Sequence, residues 1–202
     1  MVQEAQAVHA AHHTSTGIDN TKLAMWTFLG SECLLFGALI SVFLLYRHTV
    51  QAGPPPHEVY DIPFTSVSSF VLLMSSLTMV LALAALQRGD HHRTRTWILA
   101  TAFLGMVFIS GQVFEFTIFA KEGFTVRSSS AGSAFFVLTS FHGAHVTIGI
   151  IMLLTLYSMS IRGHLPQSKA SAVEYVGLYW HFVDIVWIVI FTLVYLIPAP
   201  AK

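Results

Sequence analysis

Five apolar stretches constrain what this chain can fold into more than any other feature. They run roughly Leu23 to Tyr46, Phe64 to Leu86, Trp97 to Phe119, Ser133 to Ser160 and Tyr175 to Ile197. Each is long enough to cross a hydrocarbon core of about 30 Å as a helix. Inside lipid the backbone must satisfy its own polar groups, so only helices and closed barrels span. A barrel strand would alternate apolar and polar residues, and these stretches do not. The expected fold is all-α, an integral membrane bundle of five transmembrane helices forming one domain over residues 22–198. Residues 1–21 are read as a polar, mobile tail and residues 199–202 as a short C-terminal one. With 54% hydrophobic and 10% charged residues, the composition lies far from that of a soluble domain.

The connections are too short to house a folded domain: Arg47 to Pro63, which contains Pro54, Pro55 and Pro56, then Gln87 to Thr96, Lys121 to Gly132 and Ile161 to Glu174. Chemistry must therefore take place between helices or at a surface shared with another chain. Ten Lys plus Arg balance ten Asp plus Glu, so no basic excess recruits nucleic acid, and apolar surfaces and membrane lipid are the expected partners. A single cysteine, Cys33, allows neither an intramolecular disulfide nor a cysteine-based metal cluster and reads as a small hydrophobe. The first twenty residues lack the apolar core and small-residue pattern of a secretory signal. His9, His12 and His13 within them could buffer protons at the membrane surface or belong to a tag-like tail.

An odd number of helices places the termini on opposite sides. Lys22, Arg88, Arg93, Arg95, Arg162 and Lys169 then share the N-terminal side, and Arg47, Lys121, Arg127 and Lys202 the other. Six against four favours a cytoplasmic N-terminus and a C-terminus on the outer face.

Six ionisable groups lie within the apolar stretches: Glu32, Glu115, His142, His145, His181 and Asp184. Each costs about 2.5 to 3.5 kcal/mol near a helix centre, so each must face a partner, water or the protein interior. The bulky apolar neighbours of Glu32 would strip water from a carboxylate and favour its neutral form. Such a group serves either as a proton relay or as a hydrogen-bond donor fixing helix packing. Gly111 and Gln112 share a helix face with Glu115. His142, His145 and Gly149 recur at three and four residues, with Gly143 beside them. Gly177, His181 and Asp184 form a stripe flanked by Trp180 and Trp187. The simplest solution packs these seams together, with acids and imidazoles satisfying one another across helices at about 1 kcal/mol per bond. The second stretch offers only Ser75, Ser76 and Thr78. Ligation of haem or metal is the weaker reading, because histidines three apart in one helix cannot serve both faces of a haem. No metal ligand is assigned.

In chain order, Phe28-Leu-Gly-Ser-Glu-Cys-Leu-Leu-Phe36, Gly111-Gln-Val-Phe-Glu-Phe116, Phe135-Phe-Val-Leu-Thr-Ser-Phe-His-Gly-Ala-His-Val-Thr-Ile-Gly149 and Tyr179-Trp-His-Phe-Val-Asp-Ile-Val-Trp187 resemble subunit III of the haem-copper respiratory oxidases. The resemblance spans all five helices. It implies a subunit of a bacterial plasma-membrane oxidase that is not catalytic and binds no cofactor itself, with haem and copper in partner subunits. It further implies docking against subunit I, in a complex with subunit II and a small subunit. There it would stabilise the catalytic centre during turnover, sustain proton uptake and hold structural phospholipid. Glu32 matches the family's buried, carbodiimide-reactive glutamate. Glu115, His142 and His145 match the middle-helix motifs, and Trp180, His181 and Asp184 the last-helix motif. Many members have seven helices, two of them set apart by a lipid-filled cleft, and this chain resembles the later five. Lipid-binding residues therefore transfer poorly. The resemblance covers cytochrome c and quinol oxidases alike, with Glu32 favouring cytochrome c. Two readings compete with it: a free-standing membrane cytochrome, and a proton transporter using the Glu, His and Asp seam.

Overall fold

The computed structural model describes residues 20–47 and 61–197. The tail histidines His9, His12 and His13, the triple proline and the C-terminal tail lie outside the described residues. Five helices follow one another: α1 (Asn20–Tyr46), α2 (Ile62–Gln87), α3 (His91–Lys121), α4 (Ser130–Ile161) and α5 (Ala170–Phe191). A 3₁₀ turn, Gln167–Lys169, leads into α5, and a π-helical turn, Thr192–Leu196, extends it. No strand occurs among the described residues. All five helical segments are long and apolar enough to cross a membrane.

The helices reach beyond the apolar stretches because capping residues start them in the polar flanks. Asp61 accepts from the backbone N–H of Phe64, with Pro63 in the first turn of α2. Asp90 does the same for Arg93, and Ser129 for Gly132. Each satisfies one of the donors that a helix N-terminus leaves without a partner, an effect worth about 1 kcal/mol. Gly89, at φ 77°, lets the chain reverse between α2 and α3 within a few residues.

α2 packs along α3, α3 along α4, and α5 lies against both α2 and α4. The buried residues of α2, among them Thr65, Ser69, Leu72, Ser75, Met79, Ala82 and Leu86, recur every three or four positions and form one stripe facing the bundle. α1 is the outlier. It lies on α4 and α5 and buries only Leu29, Phe36 and Phe43, a seam one residue wide at seven-residue spacing. Polar clamps hold its two ends. Lys22 Nζ meets Glu174 Oε1 at 2.8 Å, and the Arg47 guanidinium donates to the Ile197 carbonyl at 2.7 Å.

Trp180 of α5 sits where α3, α4 and α5 come close together. It is 1% exposed, and its ring lies against two glycines. A Cβ at Gly105 of α3 would stand 2.6 Å from the ring, and one at Gly149 of α4 would stand 2.7 Å from it. The Trp180 indole N–H donates to Ser75 Oγ at 2.9 Å, and that of Trp187 to Ser69 Oγ at 2.8 Å. Both large rings thus tie α5 to hydroxyls of α2 while filling the interior.

Candidate functional site

Five of the six ionisable groups within the helices face a neighbouring helix and meet polar partners at three places. The first joins α1 to α4, where Glu32 Oε2 lies 3.1 Å from His145 Nε2 and both side chains are largely buried. The other ring nitrogen of His145, Nδ1, lies 2.7 Å from the Phe141 carbonyl. A carbonyl only accepts, so Nδ1 carries a proton. Nε2 then either accepts from a neutral Glu32 carboxyl or, as part of an imidazolium, donates to a Glu32 carboxylate. In both states the pair holds one exchangeable proton between the residues and carries no net charge, which suits an apolar setting. Tyr179 donates its hydroxyl to the His145 carbonyl at 3.0 Å and lies nearly parallel to the imidazole, while Phe36 closes the pair edge-on at 5.0 Å.

This geometry makes a prediction for Glu32→Gln. An amide N–H can replace the carboxyl proton in the bond to His145 Nε2, so subunit content and thermal midpoint should stay near wild type. Carbodiimide labelling, which requires a carboxyl, should vanish. Labelling that persists in the variant would place the reactive group elsewhere.

The second place joins α5 to α2. Ser76 Oγ donates to Asp184 Oδ2 at 2.6 Å, and His181 Nδ1 lies 3.2 Å from the same hydroxyl. The serine has one proton and gives it to the acid, so His181 Nδ1 is the donor to Ser76. Ser76 therefore stands between the two residues expected to pair directly, and links them.

The third lies between α2, α3 and the end of α5. Glu115, 5% exposed, accepts from Thr65 Oγ1 at 2.7 Å and from the Tyr195 hydroxyl at 3.2 Å. One turn earlier Gln112 crosses to α4 and donates to the Thr139 carbonyl at 2.8 Å. Its amide fits because Gly143 has no side chain: a Cβ there would come within 2.8 Å of Gln112 Oε1.

His142 behaves unlike its neighbour His145. It is fully buried, stacks on Trp187 at 4.9 Å and meets Phe108 and Phe36 edge-on. Neither ring nitrogen has a hydrogen-bond partner among the described residues. It serves as one more aromatic ring in the core. Both nitrogens of His145 are engaged, and His142 is enclosed by rings, so the two do not converge on a common ligand point.

The sequence pointed to Glu32, Glu115, His142, His145, His181 and Asp184, and the structure puts the three acids and three imidazoles at the helix interfaces. Only Glu32 and His145 form the acid and imidazole pair expected of them. The other acids take hydroxyls, from Thr65, Ser76 and Tyr195. Thr65, Ser69 and Tyr195 went unnoticed, although the spacing of Thr65, Ser69 and Ser76 by four and seven residues puts three hydroxyls on one face of α2.

The family model for cytochrome c oxidase subunit III matches residues 1–198. The chain belongs to this family. Its relatives include the cytochrome c oxidase subunit 3 of Bacillus subtilis (strain 168), 38% identical over 178 residues, which are 88% of this chain and 86% of that one. The quinol oxidase subunit 3 of the same strain is 38% identical over 175 residues, 86% of this chain and 85% of that one. A probable quinol oxidase subunit 3 of Staphylococcus saprophyticus is 38% identical over 178 residues, covering 87% and 88%. This subunit III chain is therefore equally similar to relatives named for two electron donors. Family membership makes it a multi-pass membrane component of an oxidase complex. The polar contacts just described are its internal framework.

Proposed function

We propose that this subunit III is the supporting subunit of a haem-copper terminal oxidase in a bacterial plasma membrane. It docks against subunit I, in company with subunit II and a small subunit. It holds no redox centre, stabilises the oxygen-reducing subunit during turnover and sustains its proton uptake. The observation that carries this reading is the use of the buried polar groups. Glu32, Glu115, His145, His181 and Asp184 each use at least one hydrogen bond to join one helix to another. Groups so engaged give the bundle its shape and leave the electron chemistry to the partners. The Glu32 and His145 pair, close to the exposed flank of α1, can pass a proton between its two residues without creating net charge in lipid. Cytochrome c is the proposed donor, on the strength of Glu32. The cluster Arg88, Arg93 and Arg95, with Arg162 and Lys169, supports a cytoplasmic N-terminus under the positive-inside rule.

Gentle detergent extraction tests the reading. The chain should purify with haem-bearing larger subunits, and oxygen uptake should follow addition of reduced cytochrome c. A complex that oxidises quinol alone would overturn the choice of donor. A haem spectrum in the isolated chain, or proton movement by it in vesicles, would overturn the supporting role.

A further inference from the structure

We infer that the outward stripe of α5 seats a transmembrane helix of a neighbouring oxidase subunit, which gives a hydroxyl or N–H donor to His181 Nε2. The inference rests on the supporting role proposed above and adds where a partner sits and what it brings. His181 differs from the other outward polar residues of the helices. The hydroxyls of Thr27, Ser31, Ser41, Ser110, Thr117 and Thr147 are exposed, and each donates to a carbonyl three or four residues earlier in its own helix. Glu32 and His145 satisfy each other across a helix interface. His181 is half-buried, and only its Nδ1 is engaged, 3.2 Å from Ser76 Oγ. That hydroxyl gives its proton to Asp184, so Nδ1 carries the imidazole proton and Nε2 a bare lone pair. Nε2 has no partner among the described residues, and it is not enclosed, since the enclosed nitrogens without a partner all belong to His142. A strong acceptor is therefore turned toward the outside of the bundle.

Depth decides the kind of partner. From Ser76, level with His181, to Gln87 at the end of α2 the helix rises about 16 Å, half the thickness of a hydrocarbon core. Acyl chains at that depth have no proton to give, and an acceptor left unmet in hydrocarbon is costly. A side chain on a spanning helix of another subunit brings a donor to the same level, and hydrogen bonds of this kind join helices within membranes. The surface around the imidazole has the form such a helix needs. Leu178, His181, Ile185 and Ile188 follow one another at spacings of three, four and three, the seven-residue repeat along which two helices pack. On α2, Leu73 and Val80 stand three before and four after Ser76 and share its face. Leu73, Val80, Ile185 and Ile188 are all exposed. Two apolar rows thus border the contact between Ser76 and His181, with the acceptor at its outer edge.

The test uses the intact purified oxidase. With the photo-reactive p-benzoylphenylalanine in place of Ile185, which is 60% exposed, irradiation should join this chain to another subunit of the complex, and mass spectrometry of the adduct identifies the helix. A second arm measures retention of the chain in rising detergent. Asparagine puts an amide N–H where His181 Nδ1 lies and has no atom at Nε2, so His181→Asn keeps the donation to Ser76 and loses the outward acceptor. The variant chain should leave the complex roughly threefold faster than wild type, the effect of one average hydrogen bond between helices in lipid. Replacing the donor on the helix identified by the adduct should speed the loss equally, and both replacements together should do no more than either alone. Adducts with lipid alone would overturn the surface. Additive losses in the double variant, or wild-type retention of His181→Asn, would overturn the hydrogen bond. A chain that purifies without haem-bearing subunits would instead count against the supporting role on which the inference rests.

Discussion

Gly149→Leu should leave the oxidase without this subunit. Trp180 fills the space between α3 and α4 so closely that even a methyl at Gly149 would sit 2.7 and 2.8 Å from its ring carbons. The ring cannot retreat, because a Cβ at Gly105 on the other helix would meet it at 2.6 Å and its N–H is held by Ser75. Gly149→Ala should cost about 1–3 kcal/mol, the usual range for overpacking a dense interior. Leucine adds three further carbons to a site with no room for one. Its cost should consume most of a stability margin of about 5–15 kcal/mol. The subunit content of the purified complex measures the effect. Trp180→Leu in the same chain should partly restore it, since shrinking the ring removes the clash. Wild-type subunit content in Gly149→Leu alone would mean that α4 and α5 do not meet as described.

Asp184→Leu should give the second-largest loss. The aspartate is 5% exposed, and Ser76 donates to it at 2.6 Å while His181 leans on that serine. Leucine removes the acceptor, leaving the half-buried Ser76 hydroxyl and His181 imidazole without the group that orders them. An unsatisfied buried group costs about 1–3 kcal/mol, whereas a hydrogen bond between helices in lipid averages about 0.6 kcal/mol. Loss of the acceptor therefore outweighs the lost bond alone, and the thermal midpoint of the complex should fall by a few degrees. Asp184→Asn keeps an oxygen for Ser76 and should lie close to wild type. Equal midpoints for Leu, Asn and wild type would remove Asp184 from the framework.

The architecture was legible because hydropathy is a property of each segment alone. Twenty or more apolar residues demand a spanning helix whatever their neighbours do. The helix ends were less legible, since hydropathy registers the oil-facing part while Asp61, Asp90 and Ser129 start the helices outside it. Candidate site residues stood out for a related reason: an acid or imidazole amid apolar residues has a large cost, so Glu32, Glu115, His142, His145, His181 and Asp184 could be picked out singly. Their partners could not, because pairing depends on the axial register between helices, which no single periodicity encodes. Serine and threonine conceal their role further. Ser69 donates back to the Thr65 carbonyl of its own helix at 2.7 Å and still accepts from Trp187. Such a residue looks like neutral filler in a sequence and acts as a crosslink in the bundle. His142 shows the converse: its type suggests a ligand or a partner, and its position among Trp187, Phe108 and Phe36 gives it the work of an aromatic ring.

The central claim is that a bundle joined by its own buried polar groups keeps the catalytic subunit working. The most direct measurement follows oxygen uptake by the purified oxidase through many turnovers, with this subunit present and after it has been stripped away, at equal haem. The stripped enzyme should start active and then lose activity sooner, and adding back the wild-type chain should restore its endurance. Identical decay with and without the chain would contradict the account.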